Sequence, residues 1–235
     1  VGLISRNLLL AGATGLVGGL VLRELLKSPR FTGTVFAPAR RKIDLEDRRL
    51  VVVQTDFSSP QSDADLVAAT RGHSSDPLGA YVSCLGTTIR TAGSREAFIA
   101  VDRDLVLRLG QIAFDRGARH AILVSSVGAS RQSGNFYLRV KGEVEDALEK
   151  IGFKRLDLIQ PGLLLGPRAD RRPGEAIAQI LAPIANPIMQ GGLLRYRSIE
   201  ADAVAKAIVR LLDFHKPGQF PHQYKSIRAL SADSP

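Results

Sequence analysis

Tyr137-Leu138-Arg139-Val140-Lys141 sets a phenol and an ammonium at i and i+4, on one face of a helix. A phenol titrating near ~10 is a poor acid or base at neutral pH. A neighbouring ammonium favours its ionised form and so makes a proton easier to move. The strand signal before this helix ends Leu123-Val124-Ser125-Ser126. A hydroxyl at the C-terminal end of a strand faces the crevice where open α/β sheets bind their ligands. Ser126, or else Ser125, is placed there to hydrogen-bond a substrate carbonyl.

A second group lies near the start. Gly12-Ala13-Thr14-Gly15-Leu16-Val17-Gly18 follows the apolar run Leu8-Leu9-Leu10-Ala11 and precedes an amphipathic run from Leu20 to Leu26. This reads as strand, glycine turn, helix. Such a turn aims backbone N–H groups and a helix N-terminus at one point, which suits a pyrophosphate. The spacing is G-x-x-G-x-x-G, on the first strand–helix junction of an α/β chain, and it predicts a dinucleotide site. With a nicotinamide nucleotide bound there, Lys141 can reach its ribose hydroxyls.

These residues need a scaffold, and the chain supplies one by alternating strand and helix signals. Strands are expected at Leu8–Ala11, Thr34–Ala37, Leu50–Gln54, Ala80–Cys84, His120–Ser125 and Arg155–Gln160. Helices are expected at Leu16–Lys27, Asp63–Thr70, Ser94–Arg116 (capped by Ser94 and Gly117) and Phe136–Lys150. The fold class is therefore α/β, a Rossmann-like doubly wound parallel sheet with helices on both faces. After Gly162 the texture changes to loop punctuation, with helical patches at Glu175–Ala182 and Ile199–Leu212 and a frayed tail from Ser231. Residues 1–235 read as one nucleotide-binding domain, with 163–200 as a small substrate-covering lobe.

Bulk properties narrow the function. The net charge of +9 is spread along the chain, and aromatics make up only 6%, so a nucleic-acid surface with stacking aromatics is not expected. An anionic cofactor or substrate accounts for the same arginines. Arg168, Arg171, Arg195 and Arg197 suit an anionic small-molecule substrate or a solvated basic face. The longest apolar stretch, Ala176–Leu194, is broken by Pro183 and Pro187, so no membrane span is expected. One cysteine excludes an intrachain disulfide and fits a reducing, cytoplasmic setting, with no signal-peptide pattern at the N-terminus. Cys84, closing a strand, reads as apolar filler rather than a nucleophile. His73, His120, His215 and His222 have no metal-ligand spacing and read as surface or turn residues.

The glycine turn, the strand-end Ser-Ser, the Tyr-x-x-x-Lys and the Pro161-Gly162 that follows the sixth strand, in this order, resemble an extended or atypical short-chain dehydrogenase/reductase. Within it, Cys84-Leu85-Gly86-Thr87-Thr88, Ala92-Gly93-Ser94, Val101-Asp102-Arg103-Asp104, Asn135 to Glu145 and Arg172-Pro173-Gly174-Glu175 resemble the Tat-interacting-protein-like oxidoreductases, from about Leu8 to about Val209. The resemblance implies that Gly12, Thr14, Gly15, Leu16 and Gly18 line the pyrophosphate and that Arg40 meets an adenosine 2′-phosphate. Arg40 also reads so independently: NAD sites usually offer an acid after the second strand, and this strand end reads Phe36-Ala37-Pro38-Ala39-Arg40-Arg41. Asp56 and Phe57 would border the adenine, or Asp56 would cap a turn. Leu85 and Gly86 would run beside the cofactor, and Pro161 and Gly162 beside the nicotinamide. Tyr137 would move the proton, with Lys141 as its partner. Many relatives carry an Asn on the long helix for a proton relay; the matching position here is Asp102.

The expected function is an NADP(H)-dependent carbonyl reductase or alcohol dehydrogenase acting on an unknown small molecule. The rival is an NADPH-sensing interaction protein with little turnover. The superfamily often dimerises, and the sequence does not decide whether this chain does.

Overall fold

The computed structural model describes residue 4 and residues 6–73, 76–166 and 191–232. Seven parallel strands form the central sheet. They are β1 (Asn7–Ala11), β2 (Val35–Ala39), β3 (Leu50–Gln54), β4 (Leu78–Ser83), β5 (His120–Val124), β6 (Arg155–Ile159) and β9 (Gly218–His222). Their spatial order is β3-β2-β1-β4-β5-β6-β9. The order reverses between β1 and β4, and ligands of doubly wound sheets bind outside the strand ends at that switch point. A two-stranded parallel pair, β7 (Leu164–Leu165) and β8 (Ile199–Glu200), lies beyond β6.

Alternation along the strands divides the core in two. Leu8 and Leu10 of β1, with Ile122 and Ile159, pack under α1 (Leu16–Lys27), α7 (Ala201–Leu211) and α8 (Tyr224–Ala232). Leu9 and Ala11, with Leu123 and Leu158, pack under α2 (Ser62–His73), α5 (Val106–Asp115) and α6 (Phe136–Ile151). Strands covered on both faces must be apolar at every position, and for that reason β1 reads as a continuous run.

Most expected elements lie within a few residues of their predicted bounds, and α1 and β3 coincide with them. The long helix differs in kind. It runs as α4 (Arg95–Ile99), a π-helical stretch over Ala100–Leu105, and α5. Ser94 caps it as expected, its Oγ accepting from Ala97 N–H at 3.0 Å. A short helix, α3 (Ile89–Ala92), and the pair β9–α8 have no counterpart in the sequence reading. β9 was hidden because Gly218-Gln219-Phe220-Pro221-His222 has little apolar pattern, and Pro221 is tolerated only because β9 is an edge strand. The tail is helical through Ala232 rather than frayed from Ser231. The expected helix at Glu175–Ala182, and with it Arg168, Arg171 and Arg172, lies outside the described residues.

Two histidines correct the surface assignment. His120 and His222 are buried, and both meet Asp157, which is itself sealed from solvent. Asp157 Oδ2 accepts from His120 Nε2 at 2.6 Å and Arg155 Nε at 2.6 Å; Oδ1 accepts from His222 Nε2 at 2.7 Å and Arg155 Nη2 at 2.7 Å. Burial alone would raise this carboxyl, but the hydrogen bonds from His120, His222 and Arg155 outweigh it and hold it well below the usual carboxylate range. Burial lowers the affinity of His120 for a second proton. Its Nδ1 has no partner, so the neutral tautomer with hydrogen on Nε2 fits the site.

Candidate active site

The glycine turn is packed too closely for any other residue type at two positions. Gly12 sits at φ +84°, and a Cβ there would lie 2.7 Å from the Cys84 carbonyl. The turn after β1 is thereby pressed against the end of β4, and the segments 12–18 and 84–86 form one wall. At Gly18 a Cβ would lie 2.2 Å from Gly12 O, so glycine alone lets α1 lie this close to the turn. Gly15 is the N-cap of α1 and offers no side-chain acceptor, and the first turn holds no acid. The free N–H groups at that end, with the positive pole of the helix, are left for an anion. Thr14 and Gly15 are exposed. This cradle fits a pyrophosphate.

Arg40 follows β2, is exposed, and makes no hydrogen bond or ion pair among the described residues. Asp56 stands across from it. Ser58 N–H and Oγ donate to Asp56 Oδ1 at 3.0 and 2.9 Å, which together with the charge of Arg40 holds the Asp56 carboxyl below its ordinary value. Asp56 thus caps a turn beside Arg40. Phe57 is partly buried against the core, with its carbonyl accepting from Arg108 Nη2 at 2.7 Å.

Tyr137 and Lys141 lie on the first two turns of α6, which Asn135 caps by accepting from Leu138 N–H at 3.2 Å. The Lys141 ammonium is 5.9 Å from the centre of the Tyr137 ring. Tyr137 is half-buried against Phe98, ring centres 5.9 Å apart. Lys141 is buried, its Nζ 2.8 Å from Oδ1 of the fully buried Asp102. That contact is off the hydrogen-bond axis, so charge rather than directed bonding joins the pair. The other oxygen of Asp102 accepts from Thr87 N–H at 2.7 Å. Asp102 sits in the π-helical stretch, a distortion that recurs at functional sites. It therefore ties together the post-β4 segment, the long helix and the Tyr–Lys helix. The sequence placed Asp102 by family position; the ion pair and the π turn left no signal in it.

The two serines separate. Ser125 is buried, its hydroxyl lacks a well-formed hydrogen bond, and it neighbours Glu145. Ser126 is half-buried, and its Oγ makes only a 3.5 Å contact to Val127 O. Glu145, one helical turn beyond Lys141, was missed from the sequence. Gln160 Nε2 donates to both its oxygens at 2.9 and 3.1 Å, and burial pushes the carboxyl up. Pro161 is buried and Gly162 half-buried at the end of β6. Burial pushes the Cys84 thiol up to about 12, which removes it as a thiolate nucleophile at neutral pH. Among the described residues no cluster of His, Cys, Asp or Glu could hold a metal ion, and no helix is long and apolar enough to cross a membrane.

The cradle, the free strand ends at the switch point and the Tyr–Lys helix define a nucleotide-binding α/β protein of the Rossmann type. A model of the NAD(P)H-binding family matches residues 12–214, and the chain belongs to that family. Fmp52 of Emericella nidulans is 33% identical over 211 residues, covering 86% of this chain and 85% of that protein. HTATIP2 of Rattus norvegicus is 36% identical over 175 residues, covering 74% and 69%. The resemblance drawn from the motifs is thus borne out. Among solved structures, MoeE5 in complex with UDP-glucose and NAD superposes with a TM-score of 0.66 at 14% identity, covering 97% of this chain and 81% of that one. The oxidoreductase ylbE from Lactococcus lactis gives 0.64 at 17% identity, covering 95% and 96%. These confirm the doubly wound fold.

One expectation is corrected. The cytoplasmic setting read from cysteine usage fails against relatives that are named mitochondrial, the Fmp52 proteins of Emericella nidulans, Aspergillus clavatus and Aspergillus fumigatus. A lone unpaired thiol is equally compatible with several reducing compartments, so it had no power to select one.

Proposed function

We propose that this NAD(P)H-binding protein is an NADP(H)-dependent oxidoreductase that interconverts a carbonyl and an alcohol. The observation that carries the proposal is the parallel order β1-β4-β5, which sets the segment holding Gly12–Gly18 and the segment leading from Ser126 to the Tyr137–Lys141 helix at one edge of the sheet. Gly12, Thr14, Gly15, Leu16 and Gly18 would hold the pyrophosphate, and Leu85 and Gly86 would run alongside. Arg40, unpaired and planar, suits a 2′-phosphate better than a ribose diol. Asp56 and Phe57 would border the adenine, and Pro161 and Gly162 the nicotinamide. The cofactor, when bound, supplies or accepts a hydride.

The chain's own residues do the rest. Ser126, the more accessible of the two hydroxyls, hydrogen-bonds the substrate oxygen. Tyr137 gives that oxygen its proton in reduction and takes it back in oxidation. Lys141 presents its ammonium to the ribose hydroxyls. Asp102, by charge and by its bond to Thr87 N–H, keeps Lys141 in place. Ser125 and Glu145 lie behind this row and support it. Residues 163–200 would cover the substrate. The relatives' names favour a mitochondrial setting for this reaction.

Titration with NADPH and NADH side by side tests the proposal, since the chain has no Trp to overlap the nicotinamide signal. NADPH is expected to bind more tightly. Tyr137→Phe is expected to abolish turnover on a panel of aldehydes and ketones while leaving NADPH affinity unchanged. NADPH binding without consumption by the parent protein would point to a cofactor-sensing interaction protein instead.

A further inference from the structure

A second group of cations lies beyond the end of β6. The chain there is pressed onto the segment before β8: a Cβ on Gly162 would lie 2.6 Å from Arg197 O and 2.7 Å from Tyr196 O. Ile199 N–H donates to Leu163 O at 2.8 Å and fixes the register. Arg197 therefore starts from the residue pair assigned to the nicotinamide end of the site. Its Nε is sealed from solvent and has no hydrogen-bond acceptor. Its guanidinium lies 5.9 Å from the centre of the Tyr224 ring.

Tyr224 also lines a hollow of about 530 Å³ between the 3₁₀ turn Gly191–Tyr196 and the β9–α8 junction. Arg195 and Lys225 stand exposed in its walls, and no acidic residue lines it among the described residues. Gln223, on the same wall, donates to Gln160 Oε1 at 3.2 Å, so the hollow is tied directly to the end of β6. A buried guanidinium N–H without an acceptor is costly and calls for one. Arg197 adjoins the hollow across Tyr224, and Arg195 and Lys225, with no carboxylate among the described residues of the lining, set a positive potential inside it.

We propose that Arg197, Arg195 and Lys225 form a subsite for an oxyanion, a carboxylate or a phosphate, carried by the substrate. The inference rests on the oxidoreductase reading and names its substrate class: an oxo- or hydroxy-compound with an anionic group a short chain away from the reacting carbon. The reacting carbon lies by Tyr137 and Ser126, and the anion lies past Gly162, where it accepts from the guanidinium of Arg197.

The test uses the full chain saturated with NADPH, so that the cofactor's own phosphate sites are filled. Thermal unfolding is followed while inorganic phosphate, malonate or potassium chloride is added at equal ionic strength. Phosphate or malonate is expected to raise the melting temperature beyond chloride, and whichever acts at lower concentration identifies the anion. Arg197→Ala is expected to weaken that response by about tenfold, roughly the 1.4 kcal/mol that a tenfold change represents. Lys225→Ala and Arg195→Ala alter exposed side chains, keep the fold, and are expected to weaken it by a smaller factor. An equal response to chloride, or unchanged titrations in all three variants, overturns the subsite. Failure of NADPH to bind would instead overturn the cofactor reading. The same titrations on the free chain and its Lys225→Ala variant would then still decide whether the hollow takes an oxyanion.

Discussion

Two buried carboxylates in this molecule are built for different ends. Asp157 lies within the sheet, and both its oxygens are fully engaged by Arg155, His120 and His222. Asp102 lies between the segment after β4 and the Tyr137–Lys141 helix, with one backbone N–H on one oxygen and one off-axis ammonium on the other. Each is fully buried. The difference is in saturation. A carboxylate whose lone pairs are all taken fastens β5, β6 and β9 together and has nothing left to offer. One joined to a buried ammonium mainly by charge can, on the proposed reading, position that ammonium for a ligand. Burial by itself does not mark a functional acid; the proposed reading rests instead on the unfilled bonding capacity of Asp102.

The strongest way to break this comparison is Asp157→Ala. It leaves Arg155 buried beside two imidazoles without a counter-charge, and the expected loss is about 3–5 kcal/mol in urea unfolding. NADPH affinity of the folded protein should not change. A loss under about 1 kcal/mol would mean that the network is not the fastening it looks like. Gly18→Ala is next. The added methyl has no room beside Gly12 O, so a stability cost of about 1–3 kcal/mol is expected, with NADPH affinity falling in parallel. Unaltered NADPH titration would separate the turn from the cofactor.

Asp102→Asn sharpens the contrast from the other side. The amide oxygen can still accept from Thr87 N–H, so stability should fall by only about 1–2 kcal/mol, while turnover falls by a larger factor as Lys141 loses its tether. Stability loss equal to that of Asp157→Ala, with turnover intact, would make both carboxylates structural. Arg40→Ala should cost about tenfold in NADPH affinity and little in NADH affinity, about 1.4 kcal/mol of selectivity.

The smallest effect is a pH dependence that enters the Asp157 network through His120. His120 binds its second proton less readily in the folded chain than in the unfolded one, where it titrates near about 6.5. Its contribution to stability is therefore complete above that value and lost as pH falls through the folded one. Asp157, depressed in the folded state, contributes above about pH 4 and loses its contribution only in stronger acid. The melting temperature should begin to drop as the pH falls below about 6.5, and His120→Asn should flatten that limb. A limb unchanged in the variant would place the acid sensitivity elsewhere.

Much of the frame was legible because it rests on local rules. The apolar run of β1, the glycine turn and the amphipathic α1 follow from strand burial, close approach and helix period, and the structure returns them at almost the predicted residues. Ser94 caps its helix as its type and position suggest. β9 was not legible, since an edge strand with Gly218 and Pro221 has no periodic signature, and it forms only because β6 offers an open edge. The assignment of His120 and His222 to the surface failed for a related reason. Their burial depends on Asp157, 37 and 65 residues away along the chain.

By itself, then, the sequence determined the α/β alternation, the phosphate-shaped turn and the Tyr137–Lys141 face, because each depends on residues within a few positions of one another. Tertiary structure alone decided that Asp102 would meet Lys141, that Asp157 would be saturated, and that Nε of Arg197 would be left without an acceptor. Those outcomes depend on which distant side chains the packed sheet brings within hydrogen-bond reach, and no local pattern encodes that distance.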